Sequence, residues 1–484
     1  NSMCISAVSV VLFLFILWIE ESDCDLRQLC SGLICMFLST DLAAVPKLLH
    51  SLSKRFSRTL SPSLSGPPSL PLLGNMLDVA QEHLPIHLTS LARRYGNIYR
   101  LNCGNTSDLV SSGGRTISLG DFSEEWKAHR RVAHSALLRC TRDSLHSVVE
   151  KQAHHLCQVL WDYNGKSVDL SEDFTVAASN VITTLTFGKS YDKSSVDLKK
   201  LQDSLNKIVS LWGSPWISVL DSFPLLRKLP NPPFSRLMKE IARRDELIGK
   251  HIEEFKVRMN VTSSLLKSLE PPQGGTLTDT HVHMTTVDLL IGGTETTSAL
   301  LNWTVAFLLH RPEVQNKVYE ELCGVLDVRY PQYSDRHRLP YLCALINEML
   351  RLRPVAPLAV PHRAIRNSSI AGHFIPKNTI IIPNLYGAHH DPEVWDDPYS
   401  FKPERFLEGG GGSLRALIPF GGGARLCLGE AVAKMEMFLF TAYLLRDFQF
   451  LPASKEEPLP DLRGVASVVL KVKPYTVIAH PREQ

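Results

Sequence analysis

Residues 420–429 read Phe-Gly-Gly-Gly-Ala-Arg-Leu-Cys-Leu-Gly, and no other stretch constrains the fold as much. Three consecutive glycines release the backbone from the usual steric limits, so the segment must be a tight turn. A run of apolar residues at helical spacing follows at once, from Glu430 to Leu445. Cys427 therefore stands in a glycine-rich turn at a helix N-terminus, where the dipole and free N–H groups are expected to favour a thiolate over a thiol. Glycines there let the backbone lie close to a flat ligand. Arg425, two residues earlier, can pair with an anionic group.

The remaining cysteines show no close pairs and no regular spacing. In a chain of 484 residues they suggest neither a disulfide framework nor a zinc site. Most read as reduced, buried thiols. Lys and Arg number 52 and Asp and Glu 49, a net +3 that gives no sign of wholesale nucleic-acid binding.

Helical periodicity dominates the middle of the chain. It predicts helix over 124–161, over 283–309 with its end at Pro312, and over 340–352 with Pro354 closing it. Strand-like runs are short, at Thr379–Pro383 and Val465–Val472, and Gly409–Gly412 reads as a loop. The fold class expected is mainly α with small β-sheets. Residues 3–19 carry no charge, at the short limit for a membrane span, and basic residues from Lys47 to Arg58 follow. Residues 1–60 are expected to be a membrane anchor and leader, with a cleaved signal peptide as the alternative. Pro62, Pro67, Pro68 and Pro71 stiffen the connection to one large domain, 61–484.

Phe420, Gly423, Arg425, Cys427 and Gly429 match all five fixed positions of the FxxGxRxCxG loop of the cytochrome P-450 family, and the chain resembles that family over most of 84–484. The resemblance implies the cytochrome P-450 fold, haem b as cofactor and Cys427 as the iron's axial ligand. A thiolate ligand favours O–O cleavage, which implies a monooxygenase. Gly292-Gly293-Thr294-Glu295-Thr296-Thr297 resembles the family's oxygen-activating segment. Its glycines and hydroxyls are expected to loosen the helix, with Glu295 and Thr296 supplying protons beside the iron. Without the cysteine loop, a threonine-rich core face would be the simpler reading.

Further positions carry over from the family. Trp126 and Arg130, one helical turn apart, match its WxxxR helix and imply haem propionate contacts, as does His362. Glu348, Arg351 and Arg405 match a buried triad that braces the haem side. The strings His281–Thr297, Arg351–Arg363, Ile382–His389 and Ser118–His129 are most similar to the steroid-hydroxylating members. These imply a steroid substrate, progesterone or 17-hydroxyprogesterone, with Arg236 as donor to its keto group and Asp288, Val287 and Val360 as pocket neighbours. The implied partner is an NADPH-cytochrome reductase at the endoplasmic reticulum membrane, on the cytosolic side. Arg415, Arg425 and Lys434 are the candidates for its docking face. Asn102–Gly114 and 256–276 are shorter than the family pattern. An inactive, truncated product is therefore an open alternative, as is a haem protein that binds ligands without turnover.

Overall fold

The structure, a computed structural model, describes residues 64–68, 75–79, 81–101, 114–212, 232–255, 261–267, 277–407, 411–454, 456–466 and 468–482. The leader and the shortened stretches at 102–113, 256–260 and 268–276 lie outside these residues. Among the described residues no helix is long and apolar enough to cross a membrane. Residues 65–67 and 75–484 form one compact unit.

That unit is mainly helical, as expected. Its helices are α1 Met76–Val79, α2 Leu84–Tyr95, α3 Glu124–Cys140, α4 His146–Asp162, α5 Ser171–Phe187, α6 Val196–Trp212 and α7 Pro232–Phe255. They continue with α8 Val261–Lys267, α9 Asp279–His310, α10 Pro312–Leu326, α11 Pro340–Leu352, α12 Leu385–His389, α13 Gly411–Ala416 and α14 Glu430–Asp447. Pro312 and Pro340 sit in the first turns of their helices, where proline's missing N–H costs nothing. Gly188 ends α5 at φ +70°, a left-handed cap that glycine adopts without strain.

Helix α9 is the axis of the unit. From Thr294 onward it is buried on nearly every side, and it packs against α5, α14, α11 and α7. A helix apolar all round has no solvent face to present and goes to the centre. Helix α14 behaves likewise from Met437 to Leu445, and both contribute to one large core cluster with Trp303, Phe440 and Tyr443.

The strands are short. β1 Ser167–Val168, β6 Phe448–Pro452 and β9 Val477–Pro481 form an antiparallel sheet in the order β1-β9-β6. β2 His362–Arg363 pairs with β5 Ile380–Ile381, and β3 Ser368–Ile370 with β4 His373–Ile375.

Four local expectations change. The run over 124–161 is interrupted by one π-helical turn at Thr141–Leu145, a wider coil that rephases the faces of α3 and α4. Val465–Val472 is not one strand but a hairpin, β7 Val465–Ala466 against β8 Leu470–Lys471, because the chain reverses between them. The glycine cluster enters helix at Gly411, since Leu414 to Ala416 continue a turn that glycine only weakly opposes. Of the described cysteines Cys140, Cys157, Cys323, Cys343 and Cys427, only Cys157 is buried.

Candidate active site

The cysteine loop forms the turn its glycines require. Gly421 and Gly423 take φ of +74° and +66°, and Gly423–Arg425 make one tight helical turn. The Cys427 N–H donates to Phe420 O at 2.9 Å, closing the loop on itself. Gly429 caps α14, and its N–H donates to the Cys427 sulfur. Burial nevertheless pushes the thiol above its ordinary value; the Gly429 N–H and the Arg130 charge pull it back only in part, while Glu430 opposes them. The helix N-terminus alone thus does not produce a thiolate here, because desolvation outweighs it. A bound metal cation would reverse the balance by its own charge.

A second layer supports the loop. Ser123 caps α3 by accepting the Trp126 N–H at 3.0 Å. The buried Trp126 donates its indole N–H to Ile117 O at 3.0 Å. The Arg425 guanidinium lies over that indole at 4.0 Å and donates to Ile117 O and Gly120 O at 3.1 and 2.7 Å. Arg130 also faces Trp126, at 5.7 Å, and donates to Leu426 O beside the cysteine. Arg425 in turn adds to the burial that lowers the His362 imidazole, so these two are neighbours. The four residues expected at the haem edge, Trp126, Arg130, His362 and Arg425, therefore form one electropositive cluster beside Cys427. The indole N–H and two Arg425 donors are spent on backbone carbonyls.

The cluster fits the implied cofactor. A Cβ placed on Gly421, Gly422, Gly423 or Gly429 would meet no protein atom within 4 Å, so one side of the loop is open to a flat ring. Cys427 is solvent-accessible, and Arg130 and His362 offer donors for carboxylates. When bound, haem supplies the oxygen-activating iron.

On α9, the Gly292–Thr297 patch stays helical without a break, contrary to the expected loosening. Thr296 satisfies itself by donating to Gly292 O at 2.6 Å. Gly293 permits close packing: a Cβ there would fall inside van der Waals contact with Ile182 of α5. The Glu295 side chain is 9% exposed and forms an ion pair with Lys471 of β8, itself 47% exposed. Sequence gave no hint of Lys471, which lies far down the chain in a strand with no motif.

The substrate residues fare differently. Arg236 lies on the exposed face of α7, next to the fully buried Leu237, because the helix turns its apolar stripe inward. Asp288 accepts from the Ile117 N–H at 2.7 Å and the Ser118 hydroxyl at 2.5 Å. Its carboxylate thus anchors the turn before α3, and burial pushes it up to about 6. Val287 is core and Val360 is exposed.

The implied triad is formed. Arg351 donates to Glu348 at 2.7 and 2.8 Å, and Arg405 reaches the same carboxylate at 3.0 Å. Glu348 and Arg351 are fully buried. Of the docking candidates, Arg415 and Lys434 are exposed, with Lys434 paired to Glu430 at 2.6 Å. Arg425 is partly buried and turned to the carbonyls named above.

These features are those of a haem-thiolate fold, and the chain belongs to the cytochrome P450 family: the family's model matches residues 108–479. It is 39% identical over 459 residues to human steroid 21-hydroxylase, covering 85% of this chain and 92% of that protein. To the steroid 17-alpha-hydroxylase/17,20 lyase of Ictalurus punctatus it is 34% identical over 466 residues, covering 86% and 90%. A zebra fish cytochrome P450 solved with progesterone superposes with a TM-score of 0.72 at 34% identity, over 82% of this chain and 99% of that one.

Proposed function

We propose that this P450 monooxygenase hydroxylates a steroid at C21, with progesterone or 17-hydroxyprogesterone as substrate. The reaction is substrate-CH₃ + O₂ + NADPH + H⁺ → substrate-CH₂OH + H₂O + NADP⁺. The observation that carries the reading is the near full-length similarity to human steroid 21-hydroxylase. Cys427 would ligate the iron, and Arg130, Arg425, Trp126 and His362 would hold the haem edge. Thr296 and Glu295 would move protons on the oxygen side. Electrons would come from an NADPH-cytochrome reductase docking near the exposed Arg415 and Lys434, at the cytosolic face of the endoplasmic reticulum.

The similarity to a 17-alpha-hydroxylase/17,20 lyase supports a second reading, hydroxylation at C17. Turnover of progesterone with purified reductase, followed by product mapping, separates the two. A C21 alcohol is the expected product, a C17 alcohol establishes the second reading, and no product with a folded haem protein favours the inactive alternative. Cys427→Ser is expected to abolish the thiolate-type band of the reduced CO complex while far-UV circular dichroism persists. A retained band would assign the ligand elsewhere.

A further inference from the structure

Thr285, Thr286, Thr296 and Thr304 of α9 each donate to the carbonyl four residues back, at 2.8, 3.0, 2.6 and 2.9 Å. Thr297 does otherwise. Its hydroxyl reaches out of the helix and donates to Glu436 Oε2 of α14 at 2.8 Å. Both side chains are buried, at 2% and 1% exposure. Among the described residues Glu436 Oε1 has no hydrogen-bond partner. Burial pushes this carboxyl up to about 8, so it is neutral at pH 7.

A buried carboxyl with an unsatisfied oxygen is a poor stabiliser, and a leucine of similar size would serve a core better. Its position offers a reason for it. Helix α14 begins at the Cys427 loop, and Glu436 lies two turns into it. Thr297 directly follows Thr296 in the oxygen-side patch. Among the described residues this is the one side-chain hydrogen bond between α9 and α14. The two glycines of the patch carry no side chain that could help to fix its phase.

We propose that Glu436 is a positioning residue, acting through Thr297 to hold the Gly292–Thr297 segment in register with the helix that carries the cysteine. The proposal rests on the reading of Thr296 as the oxygen-side alcohol, but it specifies a different residue and a different effect. A carboxyl can hold that hydroxyl where an apolar side chain cannot, and an amide oxygen can replace it.

The test compares Thr297→Val, Thr297→Ser, Glu436→Leu and Glu436→Gln in the haem-loaded chain. Amide hydrogen exchange over 292–297 is measured alongside steroid product formed per NADPH consumed. Thr297→Val and Glu436→Leu are expected to speed exchange about tenfold, the equivalent of one lost hydrogen bond. Both should divert electrons to hydrogen peroxide, and the double variant should be no worse than either single one. Thr297→Ser and Glu436→Gln should restore exchange and yield. Unchanged exchange and yield in Thr297→Val or Glu436→Leu overturns the proposal, as does a defect that the conservative variants share. If Glu436→Leu fails to load haem, the Thr297 pair decides alone. Should Thr296→Val leave the yield intact while Thr297→Val still speeds exchange, the reading of Thr296 fails and the positioning role stands.

Discussion

The buried Glu348 brace and the partly buried Gly292–Thr297 patch are both polar, yet they are built in opposite ways. Glu348 accepts from Arg351, Arg405 and the Lys402 N–H. Arg351 spends its remaining donors on His389 O and Pro398 O, and Arg405 on Asp396 O. No member can move without stranding a charge. In the patch each group has a single partner: Thr296 its own helix, Thr297 one oxygen of Glu436, and Glu295 a lysine that is half in water. The brace is saturated and therefore rigid. The patch is sparsely bonded, so each of its groups depends on one contact.

The contrast makes its largest prediction at the brace. Arg351→Ala leaves Glu348 buried with its main partner gone and should cost about 3–5 kcal/mol. Urea unfolding followed by tryptophan fluorescence measures it, and a loss near zero would erase the distinction between the two regions. Acid should attack the same layer next. The His389 and His390 imidazoles are held down to about 4 and about 3, chiefly by burial. Their folded values lie below the unfolded one near 6.5, so the unfolded chain binds more protons between the two. The stability they contribute is complete above about pH 6.5 and falls as pH drops below it, by about 2 kcal/mol for each by pH 5. His390→Phe, which keeps a ring stacked on Tyr386, should remove about half of that decline in urea titrations at pH 7 and pH 5.

Lys471→Met tests the patch. The pair with Glu295 is half exposed, so stability should change by less than about 1 kcal/mol. Product per NADPH should nevertheless shift, because the carboxylate beside Thr296 is released. A large stability loss with unchanged yield would show the pair to be a brace like the other. Ser123→Ala should cost about 1 kcal/mol for one lost helix cap and leave product per NADPH unchanged, read by the same urea titration.

The same contrast governs what could be read in advance. The cysteine loop and the Glu348–Arg351 pair were legible because their parts are close in sequence and their spacing fixes a turn or one helix face. The mainly helical class followed from periodicity, and α11 ended where Pro354 required. Lys471 and Glu436 were invisible because each meets α9 only through tertiary packing. Asp288 and Arg236 were assigned by resemblance alone. The fold gave the first to a turn and the second to solvent, since local packing decides which way a side chain faces. At Cys427 a helix N-terminus is visible in sequence, but the desolvation that opposes it is not.

Gly293 and Ile182 have a consequence for how this protein can vary over time. A side chain at 293 would collide with Ile182, so the two positions are inherited as one. Gly293→Ala should be damaging alone and rescued by Ile182→Ala, which removes both of the atoms a Cβ at 293 would strike. In a lineage descending from this chain, the shortening at 182 has to come first. The order of those two steps is set by the distance between two helices.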